Sequence, residues 1–148
     1  MPEKERFKLS EYDETIRFVL ENGGEFRLYP RGTSMLPLLR EGKDSVGLVK
    51  PAKDLKKNDI VFYLRDDGHY VLHRIVKVKG DLYTLCGDNQ VMLEEGIRSE
   101  HIIGVVERVF RGDKEISGKN FGYRIYLLLW KSFFIRKVFF KLRRILKK

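Results

Sequence analysis

The chain has 148 residues, 43% of them hydrophobic and 34% charged, with a formal net charge of +9, thirteen glycines and a single cysteine. Length and composition fit one globular domain with its own core and exclude a disordered or fibrous chain. The lone Cys86 excludes an intramolecular disulfide and a multi-cysteine zinc site and suits a reducing compartment; with only His69, His73 and His101 beside it, no metal site is expected.

In chain order, Ser10 followed by Asp13 reads as the start of a short helix, with Tyr12, Ile16, Val19 and Leu20 on one face and Asn22-Gly23-Gly24 as its stop. From Glu25 the pattern changes to short β-type runs at residues 26–29, 45–49, 60–64, 70–78, 82–86 and 102–110, each bounded by Gly, Asp, Asn or Pro. Asp66-Asp67-Gly68 and Lys79-Gly80-Asp81 mark hairpin turns. The expected fold is mainly β, a small twisted antiparallel sheet or partly open barrel with a helix at each end. Cys86 at a strand end is expected to pack inside, and His69 and His101 to sit in surface turns.

The positive charge is concentrated at the C-terminus. Residues 123–148 hold nine Lys or Arg and no acid, so the remaining 21 of the 30 bases face all 21 acids in a neutral body. A neutral body lacks the basic patch that phosphate contacts need, and no nucleic-acid partner is expected. In the tail, Phe134, Ile135, Val138, Phe139, Leu142, Ile145 and Leu146 recur at helical spacing, with Arg and Lys filling the other arc. Such a helix could pack on its own domain or on another subunit. Its lack of acids and its aromatic-rich face match a helix lying in an anionic membrane interface, with Tyr126 and Trp130 as an aromatic anchor at its start. The division expected is a body over residues 1–122 and a basic amphipathic helix over residues 123–148.

No stretch reaches the ~20 apolar residues that span a bilayer, and the opening MPEKERFKLSEYDE mixes both charges without an apolar core, unlike a secretory signal. A cytoplasmic location with peripheral membrane attachment is expected.

The segment Gly32-Thr33-Ser34-Met35-Leu36-Pro37 carries the strongest chemical signal. Alone, Gly-Thr-Ser is an ordinary turn. A serine becomes a nucleophile only beside a base, and His73, inside the 70–78 run, is the candidate, although a strand histidine is often only a core residue. A base needs an orienting partner, which Gly87-Asp88-Asn89 after the next strand could supply through its carboxylate.

Gly32-Thr33-Ser34-Met35-Leu36-Pro37, Asn58-Asp59-Ile60-Val61-Phe62, Val71-Leu72-His73-Arg74-Ile75-Val76 and Gly87-Asp88-Asn89, in that order, resemble the serine peptidases that include type I signal peptidases and LexA-type repressors. A histidine at the base position makes the chain similar to the archaeal and endoplasmic-reticulum signal peptidase branch. The resemblance covers residues 26–110. It implies Ser34 as nucleophile, His73 as general base, Asp88 as the acid that fixes the imidazole tautomer, no cofactor, and small residues next to the scissile bond. A second acid six residues on corresponds to Glu94. Where some relatives place an oxyanion-hole hydroxyl stands Gly32, which leaves the backbone N–H of Ser34 as the expected donor. Asn58 replaces a usual glycine. The membrane-spanning helix that precedes the serine in signal peptidases has no counterpart in residues 1–25.

The expected function is therefore a serine endopeptidase acting on a peptide or precursor protein at a membrane surface. The alternatives are a non-catalytic membrane-associated regulatory or binding module that keeps the fold, and a LexA-like self-cleaving regulator, for whose DNA-binding domain the 25 residues before the first strand are too few.

Overall fold

A computed structural model describes residues 3–116, 121–130 and 132–147. They form α1 (Glu3–Glu21), β1 (Phe26–Leu28), β2 (Asp44–Val49), β3 (Ile60–Leu64), β4 (Tyr70–Lys79), β5 (Leu82–Cys86), β6 (Glu94–Arg98), β7 (Ile102–Arg111), β8 (Lys114–Glu115), α2 (Phe121–Trp130) and α3 (Phe133–Leu146), with a 3-10 turn at Ser99–His101. The strands make one antiparallel sheet in the order β1-β2-β7-β3-β4-β5-β6, with β8 folded onto β7. Among the described residues β1 and β6 stay unjoined, so the sheet is open.

Strand β3 shows how the sequence builds two cores. Its run Ile60-Val61-Phe62-Tyr63 is buried throughout because successive side chains enter opposite faces. Ile60 and Phe62 join Ile16, Leu20, Met35, Leu38, Leu39, Leu48 and Ile103 on one face, while Val61 and Tyr63 join Ile75, Leu85 and Ile97 on the other. Both expected hairpins form. The first turn closes through Arg65 N–H to the His69 carbonyl at 2.9 Å, and the second is a two-residue loop between paired Lys79 and Leu82. Asn58 sits at φ +82, a left-handed turn conformation that asparagine tolerates, and its N–H donates to the Ile75 carbonyl at 2.8 Å. Cys86 is fully buried, as expected.

Three expectations need correction. Helix α1 begins at Glu3, so Ser10 lies inside it and not at its start; the opening Glu, Lys and Arg residues have good helix propensity and need no apolar stripe. Strand β6 went unread because only Ile97 of its five residues is buried, as befits a polar sheet edge. The tail is two helices, with α3 starting anew at Ser132, whose side chain accepts from the Ile135 N–H.

Leu20 joins α1 to the sheet and is 1% exposed. Leu20→Ala should lower unfolding free energy in urea by about 2–5 kcal/mol. A change within ~0.5 kcal/mol, typical of a surface site, would show that α1 is not anchored there.

Candidate active site

Ser34 lies in the turn after β1, partly exposed, above the buried Met35, Leu38 and Leu39 that pin the loop to the core. His73 is buried in β4, paired with Val61 and sharing the face of Tyr63 and Ile75. Both line one cleft of about 630 Å³, whose walls include Tyr12 of α1, Tyr29, Phe62 and Tyr70.

Gly87, at the end of β5, is where they converge. A Cβ built there would stand 2.6 Å from the Ser34 carbonyl oxygen and 3.1 Å from His73 Nε2, so only glycine lets the serine backbone and the imidazole approach this closely. The next residues fasten the serine loop. Asn89 N–H donates to the Ser34 carbonyl at 2.8 Å, and Asn89 Nδ2 to the Thr33 carbonyl at 3.0 Å. Among the described residues, the Ser34 N–H, Ser34 Oγ and His73 Nε2 have no protein hydrogen-bond partner, and serine and histidine are not directly bonded.

The imidazole is oriented by groups other than the expected one. Tyr63 Oη lies 3.2 Å from His73 Nδ1 and donates its own proton to Glu94 Oε2 at 2.6 Å. With that proton spent, the phenol oxygen accepts from Nδ1–H, which leaves the lone pair on Nε2, the nitrogen beside Gly87. Arg65 grips Glu94 with Nη2 at 2.7 Å and Nε at 2.8 Å. Burial opposes ionisation of Glu94, but the Arg65 and Tyr63 hydrogen bonds hold its carboxyl below the ordinary range. Burial and the Glu94 hydrogen bond push the Tyr63 hydroxyl far up, so the phenol stays protonated. Burial, with the Arg65 charge, lowers His73 to about 4, against smaller opposing effects of Glu94 and Asp88.

Asp88 makes no hydrogen bond to His73, which corrects its expected role as the acid that fixes the imidazole tautomer. Its carboxylate, fully buried, takes Arg74 Nε and Nη2 at 2.8 Å each, Arg136 Nη2 at 3.1 Å and the Tyr126 hydroxyl. Burial works against the Arg74 charge, yet its hydrogen bonds to Asp88 and the Asp88 charge keep its pKa raised. Tyr126 and Trp130, expected as a membrane anchor, instead face Asp88, the indole Nε1 donating to its carbonyl at 2.8 Å. His69, just after the Asp66-Asp67-Gly68 turn, lies beside Asp67, and His101, in the 3-10 turn, beside Asp66; both side chains are partly exposed. Among the described residues no cluster of three His, Cys, Asp or Glu is placed to hold a metal.

Tyr63 was not read as a site residue from the sequence. Its signal was the hairpin register: with Val61 opposite His73 and Tyr63 opposite Val71, the tyrosine is the diagonal same-face neighbour of the histidine. The partnership of Glu94 with Arg65 and Tyr63, 29 and 31 residues away, left no local pattern.

No protein-family model matches the chain, and a search of curated proteins returns no match.

The His73 environment has a measurable consequence. NMR titration of the ring should give a midpoint near 4, against ~6.5 for a free histidine. Since the folded value is depressed, the stability gained from a neutral imidazole is present above ~6.5 and is lost as pH falls through about 4. Arg65→Gln removes a cation that lowers the value and leaves Glu94 unneutralised, so the midpoint should rise; a fall would contradict the proximity of Arg65.

Proposed function

We propose that the protein is a signal-peptidase-like serine endopeptidase, with Ser34 as nucleophile and His73 as general base, acting on a peptide or precursor protein at an anionic membrane surface. The observation that carries this reading is the convergence of the Ser34 backbone and His73 Nε2 on Gly87, with the Tyr63 hydroxyl at the other ring nitrogen. The four motifs shared with that peptidase superfamily supply the rest of the argument.

An extended peptide enters the cleft beside the β1 edge, its carbonyl carbon over Ser34 Oγ. Oγ attacks as Nε2 takes its proton, and the Ser34 N–H, free of other protein partners among the described residues, donates to the developing oxyanion. The Tyr63 oxygen, polarised by Glu94, stabilises the imidazolium, which then protonates the leaving amine. Water, deprotonated by the same nitrogen, releases the acyl group. No step calls for a cofactor.

A fluorophosphonate probe tests the dyad because it labels only an activated serine. Wild type should label. Ser34→Ala should abolish labelling, and His73→Ala should slow it by ~10³-fold or more, because a nucleophile and its base act as a unit. Gly87→Ala should be nearly as damaging, since the added methyl cannot coexist with the Ser34 carbonyl as placed. Equal labelling of Ser34→Ala would refute the nucleophile; a folded wild type that never labels would favour the non-catalytic binding module.

Peripheral membrane attachment is supported by α3. Phe134 is 75% exposed and Leu142 53%, with Val138 and Ile145 also outward, in a segment without acids. No helix among the described residues is long and apolar enough to cross a membrane. In sedimentation with phosphatidylserine-containing vesicles, the full chain should bind in a salt-sensitive manner with a salt-resistant residue. Phe134→Ser with Leu142→Ser should remove that residue without changing charge, while Phe139 is spared because it packs edge-on against Trp130 at 5.5 Å. Unchanged sedimentation at high salt would sink the assignment.

A further inference from the structure

The C-terminal helices meet the body at the turn that follows β5, beside Ser34 and His73. Three of their side chains converge on Gly87 and Asp88. Tyr126 donates to Asp88 Oδ2, Trp130 Nε1 to the Asp88 carbonyl at 2.8 Å, and Arg136 to the Gly87 carbonyl through Nη1 at 3.2 Å and to Asp88 Oδ1 through Nη2 at 3.1 Å. Arg136 Nε also donates to the Trp130 carbonyl at 3.1 Å, which ties the two helices at the same point. On its other side this turn touches the reacting groups, Gly87 against Ser34 and His73 and Asn89 bonded to the Ser34 and Thr33 carbonyls.

Charge and burial set this contact apart from ordinary tail packing. Arg136 is the only residue of α2 and α3 that is buried among those described, at 1% exposure, although it is an arginine on an otherwise solvent-facing helix. The body already neutralises Asp88 with the two-pronged Arg74, so Arg136 adds a second buried guanidinium to one carboxylate. Burying an extra charge is costly unless hydrogen bonds compensate it. The compensation comes from the carbonyls of Gly87 and Trp130, the first of which belongs to the catalytic turn.

We propose that α2 and α3 complete the candidate active site, with Tyr126, Trp130 and Arg136 as positioning residues that hold the 87–89 turn and, through Asn89, the Ser34 loop. The catalytic consequence rests on the peptidase reading; the mechanical link from Arg136 to Ser34 does not. An active site assembled partly from the segment that carries the basic apolar face would be competent only with that segment docked.

The test uses the full chain with Arg136→Met, Arg136→Lys and Trp130→Phe, the last keeping an aromatic six-membered ring while losing the five-membered ring of the indole and its Nε1 donor. Two quantities are followed: the fluorophosphonate inactivation constants at Ser34, and amide exchange at Asn89, whose N–H bonds the Ser34 carbonyl. Misplacing reacting groups by ~1 Å costs about 100-fold. Arg136→Met should therefore slow the maximal inactivation rate at least tenfold with little change in probe affinity, Arg136→Lys and Trp130→Phe less. Exchange at Asn89 should quicken while that at Ile75, in the opposite core, stays at the wild-type rate. Uniformly faster exchange in Arg136→Met would mark general unfolding, and the milder Trp130→Phe then decides. Wild-type exchange at Asn89 in folded variants overturns the inference, whatever the labelling. Faster exchange at Asn89 in a protein whose wild type never labels sustains the mechanical link and overturns the peptidase reading instead.

Discussion

The carboxylate of Asp88 sits with no solvent exposure between two guanidiniums and a phenol, and much of the molecule's order depends on satisfying it. Arg74 comes from the middle of the sheet, Tyr126 from α2 and Arg136 from α3, so one anion ties β4, the turn after β5 and both C-terminal helices together. A buried ion of this kind contributes little net stability against an apolar replacement, but leaving any member unpaired is strongly unfavourable. Geometry is the gain: the turn held by these bonds brings Gly87 against Ser34 and His73.

A second network, separate in residues, sets the state of the His73 imidazole. Glu94 acts on the imidazole through the Tyr63 hydroxyl and is itself balanced by Arg65. The phenol transmits orientation while keeping the carboxylate charge one hydrogen bond away. A carboxylate bonded directly to the ring would raise its pKa, whereas here burial and Arg65 prevail and the ring is neutral far below neutral pH. The imidazole is thus kept unprotonated at Nε2, at the cost of a weaker base.

The two faces of the tail serve different ends. Inward, Tyr126, Trp130 and Arg136 are committed to the 87–88 turn; outward, Phe134, Val138, Leu142 and Ile145 are exposed amid the positive charge that the neutral body lacks. An amphipathic pattern alone cannot divide these roles, because an arginine on the polar arc looks the same whether it faces water or a buried aspartate.

What the sequence determined by itself is local. The β-type runs of β3 and β4, the turn chemistry of Asp66-Asp67-Gly68 and Gly80-Asp81, the helical period of the tail and the separation of its charge from a neutral body are all properties of neighbouring residues, and these elements stand close to where the sequence puts them. Ser34 and His73 could be selected as candidates because the turn and strand holding them are local too. Which acid serves which partner was decided only by the tertiary structure. Asp88 and Glu94 are six residues apart and chemically alike, yet Asp88 meets Arg74 and Arg136 while Glu94 meets Tyr63 and Arg65. The strand register of β5 and β6 and the docking of α3 made that assignment, since electrostatic partnership depends on distance in space and desolvation, and neither is written in residue spacing.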